Sequence, residues 1–199
     1  MNKTLYLKYG KRIFDLMFSL FILVFVLSWL SPLIAIIVYI DSNEFVFYYQ
    51  KRVGANGKSF KIIKFRSMKG VPPTNDPLLS SEERDRITRL GYFIRKYRID
   101  EFPQFFNVLK GEMSLVGPRP ERQQFLTQII QYLPKYQELQ ELKPGITSLG
   151  QIRFGYADSL EEMLRRARYD LKYLNNLNFR TDCKIIFATI WVVLSGKGK

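Results

Sequence analysis

The hydrophobic and polar positions of this chain fall into two regimes. From Leu16 to Ile40, 25 consecutive residues carry no charge (LMFSLFILVFVLSWLSPLIAIIVYI). As a helix such a run extends about 37 Å, more than a hydrocarbon core of about 30 Å. It is too long and uniform for a core helix of a small protein, and too long for a signal peptide, so it predicts entry into a membrane. Beyond it the pattern shortens. Glu44–Gln50 and Ser59–Phe65 read as strands around Asn56-Gly57, a pair suited to a tight hairpin. Val71–Asp76 reads as a loop. Ser81–Tyr97 predicts a helix capped by Ser81, with Ile87, Leu90 and Ile94 on one side, and Asp100–Lys110 a second that Gly111 stops. Glu121–Tyr132 reads as helical and Pro144-Gly145 as a turn. Ser159-x-x-Glu162 is a capping box opening a helix with Leu160, Met163, Leu164, Ala167, Leu171 and Leu174 on one face. Ile185–Leu194 is too short to span a bilayer and reads as core or as an interfacial helix. The fold class is α+β, mostly α.

Composition narrows the chemistry. The 199 residues hold 31 Lys+Arg against 18 Asp+Glu, a net charge of +13. Histidine is absent and Cys183 is the single cysteine. These facts exclude histidine-assisted hydrolysis, disulfide frameworks, CxxC redox pairs and structural zinc. The charge also complicates the membrane segment. Lys3, Lys8, Lys11 and Arg12 precede it, and Lys51, Arg52, Lys58, Lys61, Lys64, Arg66 and Lys69 follow. The positive-inside rule places both flanks on the cytoplasmic side. Pro32 cannot donate to the Ser28 carbonyl, and the Ser28 and Ser31 hydroxyls can serve carbonyls left free in lipid. A single straight span cannot put both flanks there, whereas a hairpin bent at Ser31-Pro32 does; a kinked span that crosses the bilayer is the plainer alternative.

The stretch Arg95-Lys96-Tyr97-Arg98-Ile99-Asp100-Glu101-Phe102-Pro103 concentrates the candidate chemistry. An ionised aspartate near a helix N-terminus, beside cations, can attack phosphorus, and an adjacent glutamate can hold Mg²⁺. The plainer alternative is that Asp100 only caps a helix and Glu101 only complements its dipole.

Several ordered segments carry a resemblance. They are Lys11-Arg12-Ile13-Phe14-Asp15, Ser31-Pro32, Gln50-Lys51-Arg52-Val53-Gly54 with Asn56-Gly57-Lys58, and Lys64-Phe65-Arg66-Ser67-Met68. Leu90-Gly91 with Ile94-Arg95-Lys96, Asp100-Glu101-Phe102-Pro103-Gln104, Gly111 to Glu121 (GEMSLVGPRPE) and Lys143-Pro144-Gly145-Ile146-Thr147 continue the series. From about residue 10 to the C-terminus the chain resembles the bacterial sugar transferases, the small monotopic phosphoglycosyl transferases. The resemblance implies a re-entrant membrane helix over residues 1–41, broken at Ser31-Pro32, and a cytoplasmic, membrane-surface catalytic domain over 42–199. It implies transfer of a sugar-1-phosphate from a UDP-sugar to a polyprenyl phosphate, undecaprenyl phosphate, with release of UMP. Asp100 would carry a covalent phosphosugar, and Glu101 would bind Mg²⁺. Arg95 and Arg119 would neutralise phosphate charge, with Lys64 and Arg66 as further phosphate contacts. The location implied is the cytoplasmic face of the bacterial inner membrane, and the pathway is the start of surface-glycan or exopolysaccharide synthesis. Association with further copies of the chain is left open. Many members carry Trp-Gln-Val followed by Gly-Arg after Pro-Gly-Ile-Thr. Here the stretch is Ser148 to Tyr156 (SLGQIRFGY), with Gly150 in place of the aromatic and the arginine moved to Arg153. Arg153 is carried forward as a contact of that altered loop, and Asp170 matches an acidic position.

Two other classes compete. A membrane-tethered nucleic-acid binder would account for the charge and for 16 Phe and 12 Tyr, but no recognition motif accompanies them. A non-catalytic, membrane-tethered basic scaffold leaves Asp100-Glu101 beside Arg95-Lys96 without a purpose.

Overall fold

A computed structural model describes residues 6–70 and 84–197. Among these the fold is mostly helical, with one long apolar N-terminal helix and two small sheets. Helix α1 runs over Tyr6–Ser42, 37 residues, and is long and apolar enough to cross a membrane. It contains wider π-helical turns at Tyr6–Gly10 and Leu23–Leu27. Its helical backbone continues through Ser31 and Pro32 instead of breaking there. Just ahead of the proline, the Ser28 hydroxyl donates to the Val24 carbonyl and the Trp29 indole to the Phe25 carbonyl. These bonds tie adjacent turns together where the proline removes an amide donor.

Both ends of α1 pack on the rest of the chain. Near the start, Lys11 Nζ lies 2.6 Å from Asp182 Oδ2 and Tyr6 donates to the same oxygen. Asp15 accepts from the Leu115 amide at 3.0 Å. Near the end, Ile34 and Val38 pack with Phe65 and Ile94. Between these, Met17, Leu20, Phe21, Phe25, Trp29 and Ile36 stay exposed.

Strands β1 (Phe47–Val53) and β2 (Ser59–Phe65) pair antiparallel, with Tyr48 opposite Lys64 and Arg52 opposite Phe60. Asn56 and Gly57 in the turn both take positive φ, 54° and 72°, which suits this residue pair. Helix α2 covers Arg89–Lys96 and is capped by Thr88, whose hydroxyl oxygen accepts from the Gly91 amide. The helix expected from Ser81 therefore starts later. Ser81 and the Val71–Asp76 loop lie outside the described residues, and Ile87 is extended, bridging Met68. Leu90 and Ile94 do share a face, packed with Val38 and Phe65.

The helix expected over Asp100–Lys110 divides into a 3₁₀ turn, Ile99–Glu101, and α3 (Gln104–Lys110), which Gly111 ends at φ 85°. Asp100 is consequently not a cap; Pro103 occupies that position in α3. Strand β3 (Ser114–Val116) runs parallel to β4 (Gly145–Thr147). Helix α4 (Gln123–Tyr132) starts two residues after Glu121, which is buried instead of helical. Helices α5 (Leu149–Arg153), α6 (Leu160–Asn175) and α7 (Phe179–Leu194) complete the chain. Ser159 accepts from the Glu162 amide as a capping box requires, while the Glu162 carboxylate reaches the Asp158 amide. Met163 and Ala167 of α6 are buried with Leu126, Ile129, Tyr136 and Leu139, and Leu160, Leu164, Leu171 and Leu174 pack around them. Helix α7 buries Asp182 and Ile185 but leaves Phe187, Trp191 and Leu194 about 70% exposed, at 72%, 70% and 72%. It is an amphipathic helix with one face in the core and the other exposed.

Candidate active site

Six segments converge on one cleft. The alternation of β1 puts Tyr48, Gln50 and Arg52 on one face, and the hairpin register sets Lys64 of β2 opposite Tyr48. Arg66 leaves β2, Arg95 ends α2, and Arg98, Asp100 and Glu101 follow. Arg119 and Arg122 come from the Pro-rich segment, Gln151, Gly155 and Tyr156 from α5 and its exit, and Arg166 from α6. The cleft lining is strongly cationic, with Asp100 and Glu101 as its carboxylates.

Local geometry explains why two adjacent acids face it. Arg98 adopts a left-handed backbone, φ 52°, and turns the chain out of α2. A non-glycine residue held there costs on the order of 1 kcal/mol, a strain common at functional sites. Hydrogen bonds from Glu101 N to Arg98 O and from Phe102 N to Ile99 O, both 3.1 Å, then close the 3₁₀ turn. Glu101 Oε1 sits 2.7 Å from Lys64 Nζ and its Oε2 3.8 Å from Arg98. Asp100 Oδ2 lies 4.0 Å from Lys64 Nζ. Burial pushes the Asp100 carboxyl up to about 6, opposed by Lys64, with the neighbouring Glu101 charge adding to the rise. Burial acts on Glu101 in the same sense, but Lys64, Arg98 and Arg119 outweigh it and hold Glu101 well below the usual carboxylate range. The pair thus divides into a firmly ionised Glu101 and a more basic Asp100.

Arg119 is held through its backbone. Its proline neighbours are pinned on both sides: Gly145 N donates to Pro118 O at 2.9 Å and Arg52 donates to Pro120 O at 3.1 Å. One residue on, Val53 N donates to Glu121 O, and the Glu121 carboxylate meets Arg166 at 2.6 Å, both side chains buried. Crowding by Arg119 adds to burial in lowering the Arg52 guanidinium to about 10.

Of the residues singled out in the sequence, Lys64, Arg66, Arg95, Asp100, Glu101 and Arg119 line this cleft together. Arg66 also pairs with Glu44 at 2.9 Å. Arg153 is exposed and does not line it. The α5 helix turns Arg153 outward while Gln151, two residues earlier, faces the cleft. Gly150 has a spatial reason: a Cβ there would lie 2.6 Å from Arg166 O and 2.9 Å from Asp170 Oδ1. Asp170 accepts from Gly150 N at 2.7 Å, and burial raises its carboxyl to about 6 against that bond and Arg166. Asp170 therefore braces the α5 turn. Sequence reasoning placed Arg98 among the cations of the Arg95–Pro103 stretch without giving it a role, and missed Arg52, Gln151, Tyr156 and Arg166. Strand alternation with Lys64 was a usable signal for Arg52; Arg166 gave none, being one cation among several on α6.

The donor set bears on a divalent ion. Among the described residues no group of three or more acidic, His or Cys side chains could hold a metal. Mg²⁺ commonly takes one or two carboxylates and completes its shell with substrate phosphates and water, so an ionised Glu101 beside Asp100 fits that chemistry.

Comparison with known proteins adds a separate line of information. The sequence profile described as bacterial sugar transferase matches residues 6–196. A UDP-N-acetylgalactosamine-undecaprenyl-phosphate N-acetylgalactosaminephosphotransferase of Aeromonas hydrophila is 39% identical over 84% of this chain and 40% of its own length. A UDP-glucose:undecaprenyl-phosphate glucose-1-phosphate transferase of Klebsiella pneumoniae is 40% identical over 91% of this chain and 39% of its own length. The chain thus spans about two fifths of these relatives. An uncharacterized sugar transferase of Bacillus subtilis, EpsL, is 40% identical over 94% of this chain and 89% of its own length.

Proposed function

Because the chain belongs to the bacterial sugar transferase family, we propose that it transfers a sugar-1-phosphate from a UDP-sugar to a polyprenyl phosphate, such as undecaprenyl phosphate. The observation carrying this reading is the buried Asp100 beside the partly buried Glu101 in a cationic cleft, on a body that also holds a long apolar helix. In the first step an Asp100 carboxylate oxygen attacks the β-phosphorus. A P–O bond to that aspartate forms, the bond to the bridging oxygen breaks, and UMP leaves with the electron pair. In the second step an oxygen of the polyprenyl phosphate attacks the same phosphorus, the polyprenyl diphosphosugar leaves, and Asp100 returns as carboxylate.

Arg119 and Arg95 balance charge on the phosphate oxygens, and Lys64 moves between the carboxylates and the substrate. An Asp100 carboxyl near 6 is mostly ionised at neutral pH and more nucleophilic than an ordinary aspartate. Mg²⁺, held by Glu101 and substrate phosphate, would add charge neutralisation on the diphosphate.

The packing of α1 supports a re-entrant membrane course. A straight helix of 37 residues measures about 55 Å. Both of its ends contact the same body, through Lys11 and Asp182 at one end and Val38 and Phe65 at the other. A helix that entered and left the same leaflet, bent within its continuous backbone near Pro32, keeps both contacts on the cytoplasmic face of the inner membrane. The exposed Phe187, Trp191 and Leu194 of α7 suit contact with that surface, with basic residues adding about 1 kcal/mol each where they meet anionic headgroups.

The test is UMP release by purified protein from a panel of UDP-sugars with undecaprenyl phosphate and Mg²⁺. Release by the unmodified chain, lost in Asp100→Asn, is the expected result. Release that persists in Asp100→Asn would remove the covalent step.

A further inference from the structure

Gln151 holds a buried acceptor that the protein does not use. The side chain is 4% exposed and lines the cleft, yet its Oε1 has no hydrogen-bond partner among the described residues. An unmet buried carbonyl is costly to the fold, because it gives up water without gaining a partner. The residue has little freedom to relieve this by moving. Its amide donates to Ser148 Oγ at 3.0 Å and its own carbonyl accepts from Gly155 N at 3.1 Å. The preceding Gly150 is wedged against Arg166 and Asp170 with no room for a Cβ. Arg166, the cation on the facing helix, already donates to Glu121.

The chemistry of the orphan atom restricts what can meet it. A carboxamide oxygen only accepts, and the phosphates of a sugar nucleotide at neutral pH are themselves acceptors. Within a sugar nucleotide its partner is therefore a neutral O–H or N–H outside the diphosphate. We propose that Gln151 is a specificity-determining residue whose Oε1 accepts a hydrogen bond from a neutral donor group of the sugar nucleotide, on the sugar ring or on the uridine. The proposal rests on the sugar-nucleotide reading of the cleft. It assigns recognition of the uncharged part of the substrate to the α5 turn, while the arginines handle the phosphates. It also gives the altered 148–156 loop a role that does not involve Arg153.

The experiment measures binding of UMP, UDP-glucose and UDP-N-acetylgalactosamine to the full chain and to Gln151→Met and Gln151→Leu, with melting temperatures of the ligand-free proteins. Loss of a neutral hydrogen bond weakens binding roughly fivefold to tenfold. Weakening shared by UMP assigns the donor to the uridine; weakening confined to a UDP-sugar assigns it to the sugar. In either case the free variants melt no lower than the unmodified chain, because an unmet acceptor has been removed. Unchanged affinities in folded variants, or weaker binding that tracks a lowered melting temperature, overturn the proposal and leave the sugar-nucleotide reading intact. Failure of the unmodified chain to bind any of the three probes overturns both.

Discussion

Where α1 meets α7, Asp182 receives Tyr6, Tyr173 and Lys11, at 2.5, 2.7 and 2.6 Å, so every donor aimed at it has a use. In the cleft, Glu101 shares Lys64 with Asp100, while Arg98 Nε and Gln151 Oε1 have no partner among the described residues. Both clusters are buried and charged, but only the first is closed. A closed network holds parts together, because every desolvated charge is compensated within the protein. An open one keeps hydrogen-bonding capacity for a ligand and accepts a loss of stability for it. The contrast also explains why Lys11, Arg12 and Asp15, though part of the resemblance, are structural: Arg12 donates to the Val108 and Leu109 carbonyls at the end of α3, and Asp15 accepts from Leu115.

The largest expected effect comes from the open cluster. Glu101→Gln keeps the shape but removes the charge that faces Lys64 and Arg98. Turnover in the UMP-release assay should fall by about 10²-fold or more, with folding retained. The mirror experiment is Asp182→Ala, which strands Lys11 and two tyrosine hydroxyls. It should cost about 3–5 kcal/mol in denaturant unfolding, and the fraction that stays folded should turn over normally. Equal effects of both substitutions on stability would erase the distinction.

A smaller effect is expected from pH. Asp100 is raised from 3.8 to about 6, so kcat/KM should fall about tenfold per unit below pH 6 as the nucleophile protonates. Stability moves the other way. A carboxyl with a raised folded pKa destabilises the ionised fold, so its protonation between pH 6 and pH 4 stabilises the protein; Asp170, also raised to about 6, adds in the same sense. Glu101, lowered in the fold, stabilises above its ordinary range and gives that up only at still lower pH. Melting temperature followed from pH 7 to pH 5 should therefore hold or rise while activity declines. The smallest effect is Arg153→Ala, an exposed position outside the cleft, which should change KM for the UDP-sugar less than twofold.

Periodicity and local turn chemistry were sufficient for much of the chain. The length of α1, the β1–β2 hairpin with its Asn-Gly turn, the α6 capping box and the Gly111 stop are all set by interactions within a few residues, which a linear pattern records. The segment around Asp100 and Glu101 was likewise legible as charge-rich and unusual. Tertiary contacts decided the remainder. Asp100 leaves the cap position because the left-handed Arg98 and the 3₁₀ turn aim it at Lys64, 36 residues away in sequence. Gln151 enters the cleft and Arg153 leaves it because Gly150 packs against Arg166 and Asp170 of another helix. Whether a buried polar atom is paired or open depends on which distant groups share its volume, and burial and Coulomb interactions act through space. The sequence alone therefore determined which residue types were available for this chemistry, and only the packed structure decided which of them face one another.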